Sequence, residues 1–405
     1  MKAASLNPTE AALLDTIDAS AMLDRTLAWS RINTGTANLD GLAHQADLLA
    51  EAFSQLPGDV TMIEPDPVTA IAPDGREEEV QRGRHMVLSV RPDAERRVLL
   101  TGHMDTVFPA DSAFQDIAEL EPGVLNGPGL ADMKGGLCVI LEALKAFESS
   151  ADAGRLGYDV MINSDEETGS AGSAALIDRL AQGKHAALTY EPATLPDGTL
   201  AGARGGSGNY SVTVTGKSAH AGRNPGDGRN AIVAAAELAV RLKELQNADI
   251  PINPARIDGG GANNVVPDLA VLRFNIRPKS HAAAESFTRA LDGMIANIAR
   301  AHDVTMQLHG GISRPPKPVD EGAEKLFALV QRTGRDLGQE FGRKDTGGVC
   351  DGNNIAACGV PVVDTMGVRG GSIHSADEFM IVDSLAERAG LSALVLHRIA
   401  AGELA

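Results

Sequence analysis

The chain has 405 residues, 43% of them hydrophobic and 22% charged, enough length and apolar material for two domains with a buried core. A formal charge of -18 sets up a field that repels polyanions, which excludes nucleic acid and anionic membrane surfaces as partners but not a small acidic substrate held by one buried arginine. Cys138, Cys350 and Cys358 are odd in number and lack C-x-x-C spacing, no leader-type segment opens the chain and no apolar run is long enough to span a membrane, so the expectation is a cytoplasmic globular protein.

In chain order, Leu42, Leu49 and Phe53 predict a helix facing a core. VLLTG (98–102), DVMINS (159–164) and AALTY (186–190) are short apolar runs, the pattern of strands buried on both faces of a sheet. Between the first two, Leu137, Ile140, Leu141, Leu144 and Phe147 keep helical spacing and predict a crossover helix, giving an α/β sheet with helices on both faces. The character changes near Arg204. Tyr210, Val212 and Val214 alternate with polar residues, a helix follows over 231–245, and strands are predicted around Arg256–Ile257 and over Leu272–Ile276. A second helix carries Phe287, Leu291, Met294, Ile295 and Ile298, and Val304, Met306 and Leu308 alternate again. That β-α-β-β-α-β order is ferredoxin-like. After Arg314-Pro315-Pro316 the α/β pattern resumes, with an apolar run at Val360–Val363 and a closing helix from about Ser384. The predicted organisation is a catalytic domain in two segments, 1–204 and 315–405, interrupted by a lid and dimerisation domain over 205–314.

Candidate chemistry clusters at strand ends and glycine-rich turns, where open α/β sheets place their sites. His103 and Asp105 form His-Met-Asp after the first strand, Asp132 lies in NGPGLADMKGG, Asp165-Glu166-Glu167 follows the second, Glu191 ends a third and His374 sits in RGGSIHSADE. Each alone reads as an ordinary surface or capping residue. Three adjacent carboxylates repel unless a cation compensates, however, and the five sites occur in one order.

Through GHMDTV, GPGLADMKGG, SDEETGS, YEP, TGKSAHAG, NNVVP and IHSADE the chain resembles the zinc-dependent family of glutamate carboxypeptidases, acetylornithine deacetylases and succinyl-diaminopimelate desuccinylases, the carboxypeptidase branch above all. The resemblance implies two Zn²⁺ bridged by Asp132, with His103 and Glu191 completing one site and Glu167 and His374 the other. It further implies Glu166 as general base, Asp105 as the orienting partner of His103, Arg277 and Asn264 as substrate-binding residues, and His220 as a lid residue that reaches the neighbouring subunit's active site in a homodimer. Three carboxylates against four positive charges leave room for one more anion, and Co²⁺ or Mn²⁺ suits the same nitrogen and oxygen donors. The expected reaction is hydrolysis of an amide bond beside a free carboxylate, in an N-acyl amino acid or short peptide. An acetylornithine-type deacylase is the alternative, with a two-metal phosphoesterase and a catalytically silent binding paralogue as rivals. One departure is Gly347-Gly348-Val349-Cys350-Asp351, where the family commonly carries Thr or Ser in place of Cys350.

Overall fold

The structure, a computed structural model, describes residues 6–404. Its larger sheet has six strands in the spatial order Asp59–Ile63, His85–Val90, Leu156–Asn163, Arg96–His103, Ala186–Thr189 and Val362–Val363. The first two pairings are antiparallel, and from Leu156–Asn163 onward every neighbour is parallel. All eight residues of Leu156–Asn163 are buried, as expected of a strand covered on both faces. Alternate side chains divide between two cores. Val98, Leu100, Val160 and Ile162 meet the helices Gly135–Glu148 and Ser384–Ala401 on one face. Leu99, Met161 and Ala187 meet Ala174–Ala181 and Asp351–Ala357 on the other.

Gly135–Glu148 is buried at every position except Lys145 and Glu148. A Cβ at Gly136 would stand 2.2 Å from the Tyr190 carbonyl oxygen, so only glycine lets this helix start against the strand end that leads to Glu191. Sequence periodicity locates this helix because its apolar face is continuous; the fully buried opposite face comes from the covering C-terminal helix.

The second sheet lies between Ser207 and Arg314, with strands in the order Ile252–Gly259, Leu269–Ile276, Ser207–Thr215 and Thr305–Arg314, all antiparallel. Helices Ala231–Leu245 and His281–His302 cover one face over a core that includes Val212, Val214, Leu272, Phe287 and Leu291, with Tyr210 and Phe274 stacked at 5.0 Å. The other face meets a hairpin, Val68–Ile71 with Glu77–Val80, sent from the larger domain. There Arg273 Nη2 donates to the Ile71 carbonyl at 2.6 Å. Sequence periodicity gives no sign of this hairpin, since its second strand is Glu-Glu-Glu-Val and nearly all exposed. No helix among the described residues is long and apolar enough to cross a membrane.

Candidate metal centre and active site

The parallel strands end together, and their loops converge. His103 is the last residue of Arg96–His103, Glu166 and Glu167 form a turn just beyond Leu156–Asn163, and Glu191 lies two residues past Ala186–Thr189. Asp132 stands in the turn that opens Gly135–Glu148, entered through Gly129 at φ +70°. His374, at φ +64°, sits in a loop pinned by a small sheet of Gly370–Gly371, Phe379–Ile381, Val124–Asn126 and Ala118–Glu121. That sheet ties the His374 loop to the segment leading into Asp132.

The five side chains meet as two trios that share Asp132: His103, Asp132 and Glu191, and Asp132, Glu167 and His374. His103 Nε2 is 3.1 Å from Asp132 Oδ1 and 3.8 Å from Glu191 Oε1. His374 Nε2 is 3.2 Å from Asp132 Oδ2 and 3.2 Å from Glu167 Oε2. Ligands around a tetrahedral ion with bonds near 2.0–2.1 Å stand roughly 3.3 Å apart, so the spacing and the nitrogen and oxygen donors both fit a divalent cation in each trio. Glu167 Oε1 is buried with no hydrogen-bond partner among the described residues, a state a carboxylate oxygen rarely keeps unless it serves an ion.

Electrostatics point the same way. Burial, reinforced by the neighbouring Asp132, pushes Glu167 up to about 7, and burial raises Glu191. Burial opposes the charged form of His103, but the carboxylates of Asp105, Asp132 and Glu191 that face its ring hold it well above its usual value; Asp132 and Glu167 push His374 up to about 11. Crowded carboxylates and imidazoles thus retain protons wherever no cation neutralises them.

The neighbours fix this geometry. His103 Nδ1 donates to the Asp105 carbonyl oxygen at 2.9 Å, with the carboxylate farther off at 3.4 Å. The Asp105 carboxylate instead accepts the Thr36 hydroxyl at 2.7 Å and the backbone N–H groups of Glu166 and Glu167, both at 3.2 Å. Asp105 therefore orients His103 chiefly through its backbone and holds the Glu166–Glu167 turn with its side chain. Asp165 turns away, accepting from Ser173 Oγ and the Gly172 N–H, which relieves the repulsion that its place in the acidic run suggests.

Glu166 lines a cavity of about 600 Å³ together with Asp132, Glu167, Glu191, His374 and Arg277. Burial holds its carboxyl well above the usual range against the pull of Arg314, whose Nη2 donates to Glu166 Oε1 at 2.6 Å. Arg277 is exposed, and its Nε donates to Asn275 at 2.9 Å. His220 and Asn264 do not line this cavity. Both are exposed and close to each other, with the Ala221 N–H donating to the Asn264 carbonyl and His220 Nδ1 accepting from the Gly222 and Arg223 N–H groups.

Three residues that organise the site, Arg314, Arg204 and Glu378, are not among the candidates named from the sequence. Arg314 reads there only as a domain boundary, yet it joins Glu166 to Asp351 at 2.7 Å. Arg204, also read as a boundary, pairs with buried Asp364 at 2.7 Å beneath the cavity wall that holds Cys350. Cys350 Sγ lies 3.6 Å from the same Asp364, and burial pushes its thiol well up, which disfavours the thiolate. Glu378 is fully buried and accepts the N–H groups of Ala131 and Asp132 at 3.0 and 3.1 Å.

The chain and its fold are similar to those of known proteins. Carboxypeptidase G2 from Pseudomonas sp. (strain RS-16) is 28% identical over 381 residues, covering 92% of this chain and 88% of that protein. Succinyl-diaminopimelate desuccinylase from Pseudomonas syringae pv. syringae (strain B728a) is 31% identical over 280 residues, 65% of this chain and 71% of that protein. The fold matches a tripeptidase from Staphylococcus aureus (TM-score 0.73, 23% identity, 95% of this chain and 100% of that one). It also matches an M20 family metallo-carboxypeptidase from Sulfolobus solfataricus (TM-score 0.69, 15% identity, 93% and 98%). Residues 99–398 match the family model described as Peptidase family M20/M25/M40, and the chain therefore belongs to that family of metallopeptidases and amidohydrolases.

Proposed function

We propose that this enzyme cleaves an amide bond next to a free carboxylate, in an N-acyl amino acid, an acyl glutamate or a short peptide. The observation that carries the reading is the pair of ligand trios sharing Asp132 in one cavity with Glu166 and Arg277. The names of two relatives, a carboxypeptidase and a desuccinylase, favour the same bond type. His103, Asp132, Glu191, Glu167 and His374 would hold two Zn²⁺, or Co²⁺ or Mn²⁺. Such ions, when bound, polarise a carbonyl and make water more acidic.

The chain's own residues account for the rest. Glu166 takes a proton from the attacking water and delivers it to the leaving nitrogen. Arg314 keeps the Glu166 carboxyl aimed by holding one oxygen. Arg277, whose terminal nitrogens form no ion pair among the described residues, offers the substrate carboxylate a bidentate fork. A homodimer through the smaller domain would bring His220 and Asn264 of a second copy to this cavity. Two features favour that pairing: the outer edge of Ile252–Gly259 has no partner strand among the described residues, and Val233, Val240 and Ile257 are exposed on the same domain.

A panel of N-acyl amino acids, their C-terminal amides, dipeptides and phosphoesters, with metal content measured on the same sample, tests the reading. Hydrolysis of carboxylate-bearing amides by protein with about two ions per chain supports it. Turnover of phosphoesters alone, or of none of these by fully metallated protein, contradicts it.

A further inference from the structure

A second cavity of about 620 Å³ lies between the Val68–Val80 hairpin and the open face of the smaller domain's sheet. It shares Thr168, Gly169, Asn209 and Ser313 with the catalytic cavity, so the two meet where the Glu166–Glu167 turn ends. The floor is built to stay open. Gly311 is one of its residues, and a Cβ there would meet nothing within 4 Å. The hairpin contributes Val68, Ala70, Ile71 and Val80, an apolar wall beside a site that otherwise handles charge.

The charges in this cavity are one-sided. In a protein of formal charge -18, no aspartate or glutamate among the described residues lines it, while Arg82, Arg273 and His309 do. Arg273 is committed to Asp258 and to the Ile71 carbonyl. Arg82 is not: its guanidinium forms no ion pair among the described residues and reaches only the adjacent Gln81 carbonyl, at 3.1 Å. Its Nε is buried with no hydrogen-bond partner. The side chain as a whole is half-exposed, and its terminal nitrogens make no other hydrogen bond among the described residues, which leaves them open to an anionic ligand.

We propose that this cavity is a distal subsite for elongated substrates: an extended apolar acyl chain lies along the hairpin and ends in a carboxylate that Arg82 receives. The proposal rests on the amide-hydrolase reading above and narrows its substrate class to acyl amino acids anionic at both ends. One guanidinium serves the amino-acid carboxylate and the other the far end of the acyl group, with the scissile bond between them.

The test uses N-acyl glutamates from succinyl to suberoyl, each compared with the methyl-ended acyl group of the same length. Wild type should favour the carboxylate-ended member of the best-fitting length by roughly tenfold in kcat/KM, the worth of one charge-assisted hydrogen bond. Arg82→Gln should abolish that preference, and Gly311→Leu should shift the optimum toward shorter chains by filling the floor. Calorimetric binding of the same pairs to metal-loaded Glu166→Gln protein separates subsite from chemistry. Tighter binding of the carboxylate-ended member there upholds the subsite even if nothing is hydrolysed, an outcome that would count against the hydrolase reading alone. Equal binding of both members at every length, or a preference that survives Arg82→Gln, overturns the proposal.

Discussion

The two domains contribute to the site in different ways. The larger one brings five candidate metal ligands from well-separated segments into two trios, the atoms of each within 4.8 Å of one another, on loops anchored by a sheet buried on both faces. The smaller one, with helices on one face only, delivers Arg277 to the cavity but leaves His220 and Asn264 exposed elsewhere. Strand ends in a doubly covered sheet are held by packing on every side, so a polar cluster can be preorganised there at high electrostatic cost. Groups on exposed lid loops have no such support. In the account proposed here they complete the site only through a second copy.

The sharpest break between the two halves comes from Glu166→Gln. It should keep both metals, since Glu166 belongs to neither trio, and lose on the order of 10²–10⁴ in turnover, measured beside metal content. His220→Ala should cost about 3 kcal/mol in the transition state, roughly a hundredfold. If the lid acts across subunits, refolding His220→Ala with Glu166→Gln should restore part of the activity, because each mixed dimer holds one site with both residues intact. A site completed within each chain would give no recovery.

Glu378→Ala probes the larger domain's own preorganisation. It leaves the Ala131 and Asp132 N–H groups without an acceptor and frees the turn that carries the shared ligand. Metal affinity should fall about 10- to 100-fold, the usual cost of losing a group that orients a ligand, with little change in turnover at saturating metal. Unchanged affinity in a metal titration would mean that the turn holds itself. The smallest expected effect is that of Arg277→Lys, which keeps the charge but loses the fork. It should cut the preference for an acyl amino acid over its C-terminal amide by roughly tenfold.

The same contrast explains what the sequence reveals. Strands Arg96–His103 and Leu156–Asn163 are legible because burial on both faces makes them continuous apolar runs, and the ligands follow at their ends. The β-α-β-β-α-β order is legible because apolar and polar residues alternate over 210–215 and 272–276. Arg314 and Arg204 are not, since a single arginine has no period and their partners Glu166 and Asp364 lie 148 and 160 residues away. Glu378 stands inside the quoted IHSADE run, but its task is to receive two backbone N–H groups 246 and 247 residues away in sequence. The hairpin over the lid escapes notice because its second strand, Glu77–Val80, is polar and nearly all exposed.

The most direct measurement is elemental analysis of purified wild-type and Asp132→Ala protein, with folding checked by circular dichroism. Because Asp132 alone belongs to both trios, wild type should carry about two divalent ions per chain and the variant should lose both together. One ion retained at full occupancy in folded Asp132→Ala, or a wild type that binds none at saturating zinc, would contradict a two-metal centre built around Asp132.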